Sequence, residues 1–144
     1  MKKAWLLVIA LAMVALMGSC DLFGTIKAAD ILGEWEFLQV TDIKGTEVFN
    51  VHLSVMADES GKIVMLDLGW DIHDGEDLLI RWHGLDGTFS GKKFTGTYKA
   101  FYLGDTEYNI EVTFSYKNGE IGIACKGEGP LNGVTLEHGT KAEI

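Results

Sequence analysis

The chain has 144 residues, and its 21 acidic side chains outnumber its 12 basic ones, which gives a formal net charge of −9 at pH 7. Nucleic acids and anionic lipid headgroups are bound by clustered lysine and arginine, whereas this chain contains one arginine, Arg81. We therefore expect no nucleic-acid partner and an acidic surface that serves mainly solubility. The length is that of one domain.

The N-terminal segment has the order of an export signal. Two lysines precede an apolar run over 5–17, which is shorter than the roughly 20 residues that a transmembrane helix needs. Small residues then lead to Cys20, and this arrangement resembles the signal of bacterial lipoproteins. The resemblance implies a signal peptide over 1–19, a lipidated Cys20 and a tether over 20–30. It places the protein in the cell envelope, anchored to a bacterial membrane and either periplasmic or surface-exposed. The alternative is an ordinary secretory signal with a chance cysteine.

Beyond the tether, apolar residues recur with a period of two, which is typical of strands with one buried face. The segments 49–55 and 108–116 show this alternation most clearly. No segment after the tether has the periodicity of an amphipathic helix of three turns. The segments between turn signals predict eight strands, over 31–42, 47–57, 62–72, 78–89, 92–102, 107–117, 120–128 and 133–142.

Short turns join these segments, and Asn118-Gly119 is the clearest hairpin signal because both positions of a type I′ turn need positive φ. Eight sequential strands with short connections predict an all-β domain over 31–144, an eight-stranded antiparallel up-and-down β-barrel. Closure removes the unpaired edges that an open sheet would expose. A two-sheet sandwich is the alternative, but it would more naturally need a long crossover connection.

The stretch "ILGEWEF" opens the first predicted strand and places Gly33 two residues before Trp35. This Gly-x-Trp opening resembles that of the lipocalin-like (calycin) barrels. The resemblance implies that Trp35 closes the barrel base by packing across it. The chain lacks the second lipocalin signature, and a single arginine excludes capture of a fatty-acid carboxylate by paired arginines.

Aromatic residues on the apolar faces of the central strands are the candidates for a ligand site. If alternation holds, they face the interior next to small residues, and ring faces with phenol groups are typical of a small-molecule pocket. The alternative is that the rings simply fill the barrel. The candidates are Trp70, Trp82, Phe94, Tyr98, Tyr102, Tyr108 and Phe114.

The remaining polar residues give little support to catalysis or metal binding. Arg81 and His83 are expected to point outward because they alternate with Trp82, and His138 is expected to point inward. The acidic segment 71–77 lacks the spacing of a calcium loop, so we expect a solvated turn rather than a metal site. No catalytic motif is present, and we expect no enzyme activity and no cofactor.

Cys125 is the one cysteine left once Cys20 carries lipid. It alternates with Ile121 and Ile123, which predicts a buried, unreactive thiol.

Two functional hypotheses follow from the sequence. The first is a membrane-anchored binding protein that holds a small apolar or aromatic molecule inside the barrel. The second is a filled barrel whose acidic surface contacts a protein partner, as an inhibitor, an envelope-assembly factor or a host-interaction antigen. A barrel enzyme is a third possibility, which fold alone does not support.

Overall fold

The computed structural model describes residues 25–143, which are almost entirely strands and turns. A short helix, α1, spans Ala28–Ile31, and a single 3-10 turn, η1, spans Phe101–Leu103. The strands are β1 (Gly33–Glu36), β2 (Asp42–Ile43), β3 (Thr46–Glu47), β4 (Phe49–Ala57), β5 (Ile63–Asp74), β6 (Asp77–Ser90), β7 (Lys93–Ala100), β8 (Glu107–Lys117), β9 (Glu120–Gly127) and β10 (Thr135–Lys141).

Eight of these strands close into one antiparallel barrel, in the order β1-β10-β9-β8-β7-β6-β5-β4. From β4 onward each strand pairs with the next along the chain, and β1 closes the barrel by pairing with both β4 and β10. The predicted eight-stranded up-and-down barrel is confirmed, and the sandwich alternative is wrong.

The first strand is shorter than predicted. It was expected over 31–42, but β1 ends at Glu36, and a turn at 38–39 follows. Strands β2 and β3 form a separate hairpin around Lys44 and Gly45, which both have positive φ. The backbone amide of Gly45 donates to the Asp42 carboxylate over 3.1 Å and fixes this turn.

The turns that glycine and asparagine predict are present. Asn118 and Gly119 have φ values of +54° and +77°, as the type I′ hairpin between β8 and β9 requires. Gly87 and Gly96 pair directly across β6 and β7, and a Cβ on either would overlap the backbone of the facing strand. Glycine therefore permits the close approach of these two strands.

One end of the barrel, called the base here, is closed by apolar side chains. The turns after β4, β6 and β8 lie at this end. The segment before α1 is bound to the turn after β6, because the amide of Ile26 donates to the Gly91 carbonyl over 2.9 Å. Trp35 is 2% exposed, and its indole Nε1 donates to the Ile31 carbonyl over 2.8 Å. The side chain of Ile31 is itself fully buried, so helix and tryptophan seal the base together.

The opposite end, called the mouth here, is formed by the tip of the β5–β6 hairpin, η1 and the loops 37–48 and 127–135. The loop after β9 is held by the hairpin β2–β3, because the Lys44 ammonium donates to the carbonyls of Pro130 and Asn132. The two ends of the barrel therefore differ, since the base is sealed by a helix and the mouth is bordered by loops.

A β-bulge in β10 reverses the predicted orientation of His138. Leu136 pairs with Ile123 and Gly139 with Ile121, so the register shifts between them, and His138 has a φ of +63°. The His138 side chain is 54% exposed and lies 3.3 Å from the Glu120 carboxylate. The expected inward orientation is wrong because the bulge inserts an extra residue and breaks the alternation.

The Cys125 thiol is 4% exposed on β9, as predicted, and burial raises its pKa to about 12. Because the thiolate is the reactive form, we expect iodoacetamide at pH 8 to leave Cys125 unmodified in the folded protein and to modify it fully in urea. Mass spectrometry of the peptide that contains Cys125 measures this difference. Modification of the folded protein at the rate of a free thiol would contradict the buried position.

The predicted signal peptide over 1–19 and the predicted lipidation site, Cys20, lie outside the described residues. Neither of the short helices in residues 25–143 has the length and hydrophobicity of a membrane-spanning helix.

Candidate functional site

The interior near the mouth contains aromatic and polar side chains from five neighbouring elements. Trp70 on β5 pairs directly with Arg81 on β6, and Leu68 pairs with His83, so these side chains share the inner face of the hairpin. Three tyrosines from β7, η1 and β8 complete the group. This mouth cluster comprises Trp70, Arg81, His83, Tyr98, Tyr102 and Tyr108.

His83 is the central polar member of the mouth cluster and is fully buried. Its Nδ1 lies 3.0 Å from the Leu68 carbonyl, which can only accept, so Nδ1 carries the proton. The Nε2 atom lies 2.8 Å from the Tyr102 hydroxyl and therefore accepts from it. Burial lowers the pKa of His83 to about 4, and the nearby Arg81 charge acts in the same direction. The imidazole is neutral at pH 7.

The Arg81 guanidinium lies against the Tyr102 ring, with Cζ 4.5 Å from the ring centroid. This is a cation–π contact, in which the cation faces the negative ring surface. Burial raises the pKa of Tyr102, and the Arg81 charge opposes that rise. The one guanidinium of the chain therefore lies on the inner face of the barrel, at the mouth.

Tyr98 connects the mouth cluster to the loop after β9. Its hydroxyl donates to the Glu128 carbonyl over 2.5 Å and accepts from the Leu131 amide over 3.0 Å. Leu131 belongs to this loop, and its side chain is fully buried. A Cβ at Gly129 would overlap the Tyr98 hydroxyl and the Tyr108 ring, so the loop lies directly on these two side chains. The loop covers this side of the mouth.

The other side of the mouth is partly open to solvent. Trp70 is 6% exposed and His83 is 0% exposed, whereas the inner-face residues nearer the hairpin tip are only half-buried. The half-buried residues are Ile72, Leu79, Arg81, Tyr102 and Tyr108. Aliphatic side chains, ring faces, a hydroxyl and a guanidinium thus share the half-buried rim of the mouth, and these are the residue types that typically line small-molecule sites.

The predicted ligand contacts do not all meet at one place. The structure brings four of them together in the mouth cluster, which are Trp70, Tyr98, Tyr102 and Tyr108. Phe94 and Phe114 are fully buried in the core, Phe94 next to the turn at the base. Trp82 lies on the outer face of the barrel and is 46% exposed, so its expected inward position is wrong.

Arg81 and His83 were expected outside but lie inside, because β6 carries apolar residues on both faces. Alternation around Trp82 alone gives the wrong phase. Leu85 is buried and Phe89 is half-buried against the core, and counting back by twos from them reaches His83 and Arg81. The signal was therefore present in the second half of the strand.

Apolar residues also cover part of the outer surface. Trp82 packs edge-to-face on Phe101 with their ring centroids 6.1 Å apart, and Phe101 is 62% exposed. Leu78 and Ile80, on the same outer face of β6, are each more than half exposed. This outer patch comprises Leu78, Ile80, Trp82 and Phe101.

The acidic turn at the hairpin tip forms no metal centre within the described part of the chain. Nowhere in residues 25–143 do three or more histidine, cysteine, aspartate or glutamate side chains come together in a way that could hold a metal ion. His73 instead packs edge-to-face on Phe49, with their ring centroids 4.8 Å apart.

Comparison of the chain with protein-family models, with curated proteins and with solved structures finds no match. The closed barrel and its mouth cluster are the features of the chain that bear on its function.

Proposed function

We propose that this protein is a non-catalytic binding lipoprotein of the bacterial cell envelope, which holds a small apolar or aromatic molecule at the mouth of its barrel. The observation that carries the proposal is the half-open mouth cluster. Its inner part is packed and fully hydrogen-bonded, whereas its rim leaves aliphatic and aromatic surfaces partly in water. Covering such surfaces stabilises a complex by about 25 cal/mol per Å².

The proposed anchor fits the direction of the barrel. The first described residues lie at the base, where Ile26 bonds to Gly91. Cys20 precedes Ile26 by six residues, which span at most about 20 Å. Lipid on Cys20 would hold the base towards the membrane, so the mouth would point away from it and remain accessible.

We also assign the barrel to the lipocalin-like architecture as part of this proposal. An eight-stranded closed barrel, with Gly33 and Trp35 at the start of β1 and Trp35 buried at the base, supports the assignment. In such a barrel the interior is just wide enough to be filled by side chains or to hold one small ligand.

A fluorescence titration with the neutral aromatic probe N-phenyl-1-naphthylamine tests the binding site. Ile72 and Ile80 lie on the same hairpin, but Ile72 faces the mouth and Ile80 the outer patch. We expect Ile72→Asp to weaken probe binding by about tenfold or more, because it places a charge in the apolar contact. The matched variant Ile80→Asp should leave the affinity unchanged, and urea unfolding checks that both variants are folded.

A second candidate function is favoured by the outer patch, which is 61% exposed at Ile80 and 62% exposed at Phe101. Exposed apolar patches, especially ones rimmed by polar residues, often mark contact sites for other proteins. Under this alternative the mouth is only core. Loss of probe binding on Ile80→Asp, with no loss on Ile72→Asp, would favour the outer patch and contradict the mouth.

A further inference from the structure

We infer that the molecule held at the mouth carries a carboxylate that pairs with Arg81. The inference rests on the proposed binding function and deepens it by naming the chemical class of the ligand. A carboxylate on an apolar or aromatic body would use both properties of the mouth, its single cation and its apolar rim.

Arg81 has no acidic partner among the residues that the structure describes. The charge pairs within 4.0 Å in residues 25–143 are Lys93 with Glu111 and His138 with Glu120. The groups that face Arg81 are uncharged at pH 7. They are the Tyr102 phenol, the neutral imidazole of His83 and the indole of Trp70, which is the residue opposite Arg81 on β5.

An unpaired guanidinium in this position is unfavourable, because partial burial removes water without supplying a counter-charge. The chain has 21 acidic residues, yet none of those described neutralises Arg81. A ligand carboxylate would supply the missing charge. The ligand would then contribute the interaction that the protein itself leaves unmade.

The single positive charge of the mouth favours a carboxylate over a phosphate group. The Tyr102 ring lies against one side of the guanidinium, so its N–H groups, which lie in the guanidinium plane, can donate to a planar two-oxygen acceptor. A phosphate dianion would need a second cation, and Arg81 is the only cationic member of the mouth cluster.

The apolar body of the ligand has a matching surface beside Arg81. Leu79 lies two residues from Arg81 on the same face of β6, and Ile72 pairs with Leu79 across the hairpin. Both are half-buried. A ligand whose carboxylate meets Arg81 would therefore cover these side chains with its hydrocarbon part.

Calorimetric titration of the protein with 2-naphthoic acid and 2-naphthamide at pH 7 tests the inference, because the two probes differ mainly in charge. We expect the acid to bind about tenfold more tightly than the amide. Arg81→Gln should remove this preference, and Arg81→Lys should keep part of it. Lys99→Gln changes the net charge equally but lies on the outer face opposite Gly84, so it should preserve the preference.

The outcomes separate the inference from the proposed function. Equal affinity for acid and amide in the wild type, with both lost on Ile72→Asp, would overturn the carboxylate inference and leave the mouth site standing. Binding of neither probe would overturn both. If Arg81→Gln fails to fold, the salt dependence of probe binding to the wild type decides. Added salt should lower the affinity for the acid and leave the affinity for the amide unchanged. An equal effect of salt on both affinities would overturn the inference.

Discussion

Replacement of Trp35 with alanine is expected to lower the free energy of unfolding by about 3–5 kcal/mol, as measured by urea denaturation. The Trp35 ring is 2% exposed at the base and packs edge-to-face on Tyr116, with their ring centroids 6.4 Å apart. The Lys141 ammonium lies 5.4 Å from the centroid of the Trp35 ring and donates to the Leu32 carbonyl. Trp35 on β1 therefore contacts β10, the last strand of the barrel, at the base. Alanine would leave a large cavity there.

Two variants identify the cause of the loss. Trp35→Phe keeps most of the ring but leaves the Ile31 carbonyl without its donor, and should cost about 1–2 kcal/mol. Trp82→Ala removes the same side chain from the outer face, where it is 46% exposed, and should cost less than about 1 kcal/mol. Equal losses for Trp35→Ala and Trp82→Ala would contradict the role of Trp35 at the base.

The buried neutral His83 is expected to make the protein less stable in acid by about 3 kcal/mol between pH 6.5 and pH 4. Its pKa is about 4 in the folded protein and 6.5 in the unfolded chain, so the unfolded chain binds the proton first as the pH falls. The contribution of His83 to stability is therefore complete above pH 6.5, decreases from there to pH 4, and is constant below pH 4.

His83→Gln provides the control for the pH dependence. A glutamine amide can donate to the Leu68 carbonyl and accept from the Tyr102 hydroxyl, but it does not titrate. The carboxylates contribute equally to the pH dependence of the wild type and of His83→Gln. The difference between the unfolding free energies of the two proteins therefore isolates the contribution of His83. A constant difference from pH 7 to pH 4 would show that the histidine does not stay neutral in the folded state.

The eight strands of the barrel followed from simple alternation wherever one face of a strand is apolar and the other polar. Strand β8 spans Glu107–Lys117, as the alternation over 107–117 predicts, and Asn118-Gly119 turns the chain as a type I′ hairpin. These features are local, because side-chain alternation and positive φ each depend on a few consecutive residues. The barrel then follows, since closure is the arrangement that leaves no free edge.

The errors arose where local alternation was ambiguous or interrupted. On β6 both faces are apolar, so the orientation of Arg81 and His83 depends on which strand face packs against the barrel core. On β10 a bulge at His138 shifts the alternation by one residue. The sequence pattern carries no clear sign of this shift, because the bulge position is set by pairing with β9.

The candidate site was only partly predictable for the same reason. The tyrosines of the mouth cluster were found by their residue type, but their partner Arg81 was placed outside. The hydrogen bonds from Tyr102 to His83 and from the Leu131 amide to Tyr98 join residues far apart in the chain. Such contacts depend on the closed barrel and cannot be read from one strand at a time.

Native mass spectrometry of the protein purified from its natural host tests the central claim most directly. We predict a native mass above that of the denatured chain, with the excess absent from the Ile72→Asp variant and the released molecule identified from the same sample. Identical native and denatured masses across several growth conditions, for both wild type and variant, would contradict a ligand at the mouth.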